Sequence, residues 1–189
     1  MQRLAVYCGA NSGQNGAYAE AAAALGQAMA RRKIDLVYGG GRLGLMGVMA
    51  DTVLAGGGKV HGVIPEMLKD LEVAHTKLTK LHIVANMHER KAKMTDLADA
   101  FVALPGGIGT MDELFEAWSW NALGYHNKPF AILNIDGFWN SLITLLDTMT
   151  KEGFVSTERR KQLIVSDTIE DCLDRLTAAC TSEEGSFTW

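Results

Sequence analysis

At 189 residues and 48% hydrophobic content, this chain is long enough to bury a core without disulfide or metal staples; the simplest reading is one domain over residues 1–180 and a polar, flexible tail over 181–189. A net charge of −4 and a pI near 5.7 exclude the basic stripe of a nucleic-acid groove, and no apolar run approaches membrane-spanning length. Cys8, Cys172 and Cys180 are odd in number and lack metal-type spacing, so the expected setting is reducing cytoplasm and the expected partner a small molecule.

Apolar runs at residues 4–8, 36–38, 60–64, 81–85, 101–104 and 130–134 read as strands. Between and after them, helical patterns run over 18–32, 43–55, 87–98, 111–123, 138–152 and 169–179. Strands apolar on both faces, each followed by a crossover helix, predict an α/β fold: a Rossmann-like three-layer sandwich around a mostly parallel sheet. Ligands of such sheets bind beyond the carboxyl ends of the strands. Three glycine-bearing turns fall on that edge: Gly9 to Gly13 with Ser12 inside it, Gly39-Gly40-Gly41 running on to Gly44 and Gly47, and Pro105-Gly106-Gly107-Ile108-Gly109-Thr110. Each has a plain alternative as a left-handed turn. The second turn loosely contains G-x-G-x-x-G, yet no clear acidic strand-end residue follows about 20 positions on, which argues against full dinucleotide binding.

The third turn is the most telling. An apolar strand collapses there into glycines and reopens as a helix, a sequence that lets backbone N–H groups and a helix dipole close on an anion. Asp112 and Glu113 follow on the first turn, where a phosphate site alone gains nothing from negative charge. Glu113 therefore reads either as chemistry beside the phosphate or as an acidic helix start favoured by the dipole.

Upstream, Met87, Arg90, Met94 and Leu97 fall on one helical stripe, which turns the Arg90 guanidinium toward the protein. It either meets an anion or satisfies a carboxylate or backbone carbonyls as a structural pair. Lys91 lies off the stripe, where a solvated and a ligand-binding lysine are equally reasonable. In the helix after the third turn, Met111, Leu114, Phe115, Trp118 and Ala122 form one apolar face, leaving Glu113, Glu116 and Trp120 on the other. Trp120 and Leu123 give that outer face an apolar character suited to a second subunit, and the helix over 43–55, apolar around much of its circumference, also suits burial between subunits. The five histidines show no metal-ligand spacing, so no metal is expected. Glu72, in a charged stretch beyond the third strand, is within reach of a ligand at that edge.

The Gly39-Gly40-Gly41 turn with Gly44 and Met46-Gly47, the run Met87-His88-Glu89-Arg90-Lys91 and the run Pro105 to Glu113 together resemble the LOG (Lonely Guy) family along nearly the whole chain. The family signature P-G-G-x-G-T-x-x-E is met at every fixed position. Its members are cytokinin riboside 5′-monophosphate phosphoribohydrolases, once labelled lysine decarboxylases. The resemblance implies that Arg90 and Glu113 are catalytic and that Glu72, Lys91, Gly107, Ile108, Gly109, Thr110, Met111, Asp112 and Ser119 contact the nucleotide. Gly41, Ser12 and Gly106, on the glycine turns, complete the expected binding set. Two positions depart from the family's habit: Asp112 replaces a common glutamate and Ser119 a usual threonine.

The chemistry of the residues agrees with that implication. Cleaving a purine N-glycosidic bond passes through an oxocarbenium-like ribose, which a carboxylate stabilises or supplies with an activated water. The expected substrate is an adenosine 5′-monophosphate, plain or N6-substituted, gripped by its phosphate at Gly107 to Thr110. The expected assembly is a homodimer with the pocket near the subunit interface, and no cofactor is expected. A nucleotide-binding module without catalysis is the competing reading. Lysine decarboxylation usually employs pyridoxal phosphate on a buried lysine, and no convincing lysine with a pyridinium partner stands out.

Overall fold

The computed structural model describes residues 1–69 and 73–181, so Glu72 and residues 182–189 of the tail expected over 181–189 lie outside the described residues, while Thr181 ends the last helix. Strands β1 (Arg3–Tyr7), β2 (Asp35–Tyr38), β3 (Val60–Pro65), β4 (Lys80–Val84), β5 (Ala100–Ala103), β6 (Phe130–Leu133) and β7 (Leu163–Ser166) form one sheet in the order β4-β3-β2-β1-β5-β6-β7. Every pairing is parallel, so the expected mostly parallel sheet is wholly so. The helices are α1 (Gly16–Arg31), α2 (Gly44–Ala55), α3 (Met87–Leu97), α4 (Ile108–Ala122), α5 (Asn140–Lys151), α6 (Thr157–Gln162) and α7 (Ile169–Thr181). Among the described residues no helix is long and apolar enough to cross a membrane.

Strand parity divides the core. Leu4, Val6, Leu36, Tyr38 and Val102 pack under α1, α2 and α7, whereas Ala5, Tyr7, Val37 and Phe101 pack under α3, α4 and α5. Both layers are closed, which is why β1 and β5 carry apolar residues at successive positions. The strand order reverses between β1 and β5, and their carboxyl ends open the crevice in which such sheets hold ligands. There the Gly9 N–H donates to the Pro105 carbonyl at 3.2 Å, tying the first glycine turn to the third.

Two expectations change. Helix α2 does not need a second subunit to cover it, because α1 lies along it within the same chain: a Cβ at Gly26 would sit 3.0 Å from the Thr52 side chain, so glycine sets the close approach. Elements α6 and β7 are additions. The six residues Thr-Glu-Arg-Arg-Lys-Gln of α6 carry no apolar period, and they run into a four-residue strand with no intervening turn residue.

Candidate active site

Helix α4 begins three residues earlier than its apolar stripe suggests, because Gly107 is the N-cap and Ile108 to Thr110 already form its first turn. Gly107 has no side chain to offer, and no side-chain hydrogen bond caps the helix. Close packing shapes the turn before it: a Cβ at Gly106 would lie 2.1 Å from Thr110 Oγ1 and 2.9 Å from the Gly9 nitrogen. Glycine at 106 lets Thr110, 3% exposed, fold its hydroxyl under the turn.

Helix α3 is built in the opposite way. Asn86 Oδ1 accepts from the Glu89 N–H at 2.9 Å, and Glu89 Oε2 accepts from the Ala85 N–H at 3.0 Å, a reciprocal cap that fixes the first turn. Arg90, on the next position, is 4% exposed. Its Nη2 donates to the Gly39 carbonyl at 2.8 Å and its Nε to the Val63 carbonyl at 3.2 Å, while Nη1 lies 3.7 Å from Met87 Sδ. The structural reading of Arg90 therefore holds in part: one backbone carbonyl just past β2 and one within β3 receive it.

The same guanidinium also borders a cavity of about 530 Å³, within the range of about 300–1,000 Å³ that small-molecule sites occupy. Arg90 and Glu113 both line it, and so do Ser12, Gly106, Gly107, Gly109, Thr110 and Asp112. Other expected residues stand elsewhere. Ile108 is 88% exposed, and Met111 packs against the apolar layer under α4. Ser119 is exposed farther along α4, and Gly41 bridges to Ala74 through the backbone; neither belongs to the lining. Lys91 is also outside the lining, with its ammonium on Asp112 at 3.1 Å and on Glu116. Burial alone pulls the Lys91 pKa down, but the Glu116 and Asp112 carboxylates outweigh it and the net shift is upward. Lys91 is thus a charged strut from α3 to α4.

The lining also contains residues that the sequence reading did not single out for binding. Tyr18 and Phe138, edge to face at 5.5 Å between ring centres, form an aromatic wall, and Leu45, Met46, Leu68 and Met87 supply an apolar one. The usable signal was position: Met46 and Phe138 follow β2 and β6 at the ligand edge, and Met87 opens α3. Cys8 lines the cavity as well. Burial, and after it the Glu113 charge, pushes both the Cys8 thiol and the Tyr7 hydroxyl up, so both stay protonated and Cys8 is no nucleophile. Among the described residues no cluster of three or more His, Cys, Asp or Glu is arranged to hold a metal.

The family model described as "Possible lysine decarboxylase" matches residues 46–176. Among the described residues no lysine lines the cavity, so its lining gives that description's chemistry no Schiff-base partner. The Arabidopsis thaliana protein named cytokinin riboside 5′-monophosphate phosphoribohydrolase LOG7 is 45% identical over 175 residues, covering 93% of this chain and 81% of that one. A Rhodococcoides fascians protein named cytokinin riboside 5′-monophosphate phosphoribohydrolase is 46% identical over 171 residues, covering 90% of this chain and 86% of its own. The solved molybdenum cofactor binding protein of Rippkaea orientalis has a TM-score of 0.70 at 19% identity, covering 95% of this chain and 98% of that one, a likeness of fold alone. The match over residues 46–176 and identities of this size across nine tenths of the sequence establish that the chain belongs to the LOG family.

Proposed function

We propose that this protein hydrolyses the N-glycosidic bond of adenosine 5′-monophosphates, plain or N6-substituted, releasing the free base and ribose 5-phosphate. The observation that carries the reading is that Arg90 and Glu113, from two different helices, line one cavity together with Gly107, Gly109 and Thr110 of the α4 start, which no side chain caps. In this reading the N–H groups of Gly107 to Thr110 take the 5′-phosphate as a handle, and the sugar extends along the first turn to Glu113. The Glu113 carboxylate stabilises the oxocarbenium-like ribose or activates the attacking water. Arg90, held by the Gly39 and Val63 carbonyls, orients Glu113 or the departing base. The relatives' names support the same substrate class.

The surroundings are read likewise. Residues 1–180 act as one hydrolase domain. Three free cysteines suit a reducing cytoplasm, and the exposed Leu123 and Tyr125 beside Trp120 suit a homodimer with the cavity near its interface.

Binding energy at a remote phosphate orients the reacting centre, so a substrate without it loses turnover as well as affinity. Incubation with AMP, with isopentenyladenosine monophosphate and with adenosine, followed by chromatography, tests this. Free base and ribose 5-phosphate are expected from the nucleotides, with adenosine at least about 100-fold slower. Equal turnover of adenosine and AMP rules out the phosphate handle. Absence of product from both nucleotides at high protein concentration leaves a binding module.

A further inference from the structure

We infer that Gly39 is a positioning residue for Arg90: its missing side chain is the space in which the guanidinium lies. A Cβ at Gly39 would stand 2.2 Å from Arg90 Nη2, 3.2 Å from Cζ and 3.3 Å from Met46 Sδ. The Gly39 carbonyl accepts from that same Nη2 at 2.8 Å, so the residue both admits the group and holds it.

The backbone does not ask for glycine there. Gly40, at φ +82, makes the left-handed bend that ends β2, whereas Gly39 is not among the glycines with positive φ. Residue 39 therefore tolerates an alanine in its backbone and rejects it only through what its methyl would touch. Of the two bodies in conflict, β2 is locked by Val37 and Tyr38, both essentially fully buried. The guanidinium is the far end of a flexible side chain, so it is the part that gives way. Displacement breaks the bond to Gly39 and disturbs the one from Nε to the Val63 carbonyl. The Gly107 to Thr110 turn, at the start of α4, makes no hydrogen bond to Gly39 and keeps its place, so the phosphate grip is spared. The inference deepens the proposed function, since it assumes that Arg90 serves the reaction.

The test is Gly39→Ala, read by AMP turnover, by thermal unfolding and by the Arg90 Nε–H proton–nitrogen cross-peak, which Arg90→Ala identifies by its disappearance. The expected result is a fall in kcat of about 30-fold or more, the order that an ångström of misplacement costs, with KM within about threefold and the unfolding temperature within a few degrees. The Nε–H cross-peak moves or broadens. A parental kcat, an unmoved cross-peak or a collapse of the unfolding temperature overturns the inference. If the parent protein releases no base, the functional reading fails, and the cross-peak alone still decides whether Gly39 places the guanidinium.

Discussion

Helices α3 and α4 both send their amino-terminal turns toward the same cavity, yet they solve the problem of a helix start in opposite ways. Helix α3 caps its first turn with the Asn86 side chain and ties the chain before it to Glu89, and so delivers a side chain, Arg90, to the site. Helix α4 starts from Gly107, which has no side chain, and so presents backbone to the site, with Glu113 one turn farther in. A sealed helix start is suited to aiming a cation, and an open one to receiving an anion. The Lys91 strut joins the two, from the residue next to Arg90 to Asp112, next to Glu113, and to Glu116, three residues on.

Removing the two side chains that face the reaction separates the helices most sharply. Glu113→Gln is expected to lower kcat for AMP by about 100- to 10,000-fold, the usual contribution of a positioned acid or base, while thermal unfolding shifts by only a few degrees. Arg90→Ala is expected to lose turnover too, but with a second cost. Two carbonyls, Gly39 just past β2 and Val63 within β3, lose the Arg90 donor inside the protein, which costs about 1–3 kcal/mol of stability. If Arg90→Ala proves as stable as Glu113→Gln, the carbonyl bonds are not what holds α3 against the sheet.

A smaller effect is expected at the caps themselves. Asn86→Ala removes the reciprocal cap of α3 and should cost about 1 kcal/mol in denaturant unfolding. Gly107→Asp does the reverse to α4. A Cβ there meets nothing within 4 Å and the φ of −94° accepts any residue, so the carboxylate caps the helix without loss of stability. It also puts a negative charge where the phosphate is read to bind. A rise in KM for AMP of about tenfold or more is expected, and an unchanged KM would move the phosphate away from this turn.

The contrast between α3 and α4 was half legible in the sequence. The Met87, Arg90, Met94 stripe placed Arg90 inward, and the structure buries it; the glycine run before Glu113 announced an open helix start. What the stripe does not carry is the identity of the acceptors, since the Val63 and Gly39 carbonyls lie 27 and 51 residues away and owe their placement to β3 and to the turn after β2. Lys91 illustrates the same gap. Its position off the stripe left its partner open, and Glu116 and Asp112 were brought to it by the folding of α4 beside α3. The fold itself was more readable, because strands buried on both faces announce a parallel sheet. Its last edge was not, for β7 has four residues and follows a helix of only polar ones.

The far end of α4 gives the smallest expected effect, and it separates stability from catalysis. His126 packs its ring 5.3 Å from that of Phe101 and accepts the Lys128 N–H at Nδ1. Burial first, and then the Lys128 charge, brings its pKa down from 6.5 to about 4, against an opposing hydrogen bond with the Ala117 backbone. His61 and His82, on β3 and β4, are also lowered, chiefly by burial. For each, the unfolded chain takes up a proton at a higher pH than the native state does. Stability is therefore whole above about pH 6.5 and declines as the pH falls toward 4, levelling for His126 once both states are protonated. Unfolding temperatures measured from pH 7 to 4 should trace that decline, and His126→Asn, which keeps an acceptor for the Lys128 N–H, should make it shallower. Because His126 does not line the cavity, the same substitution should leave AMP turnover at pH 7 unchanged. A loss of turnover there would mean that the segment after α4 is coupled to the cavity at its start, through the helix between them.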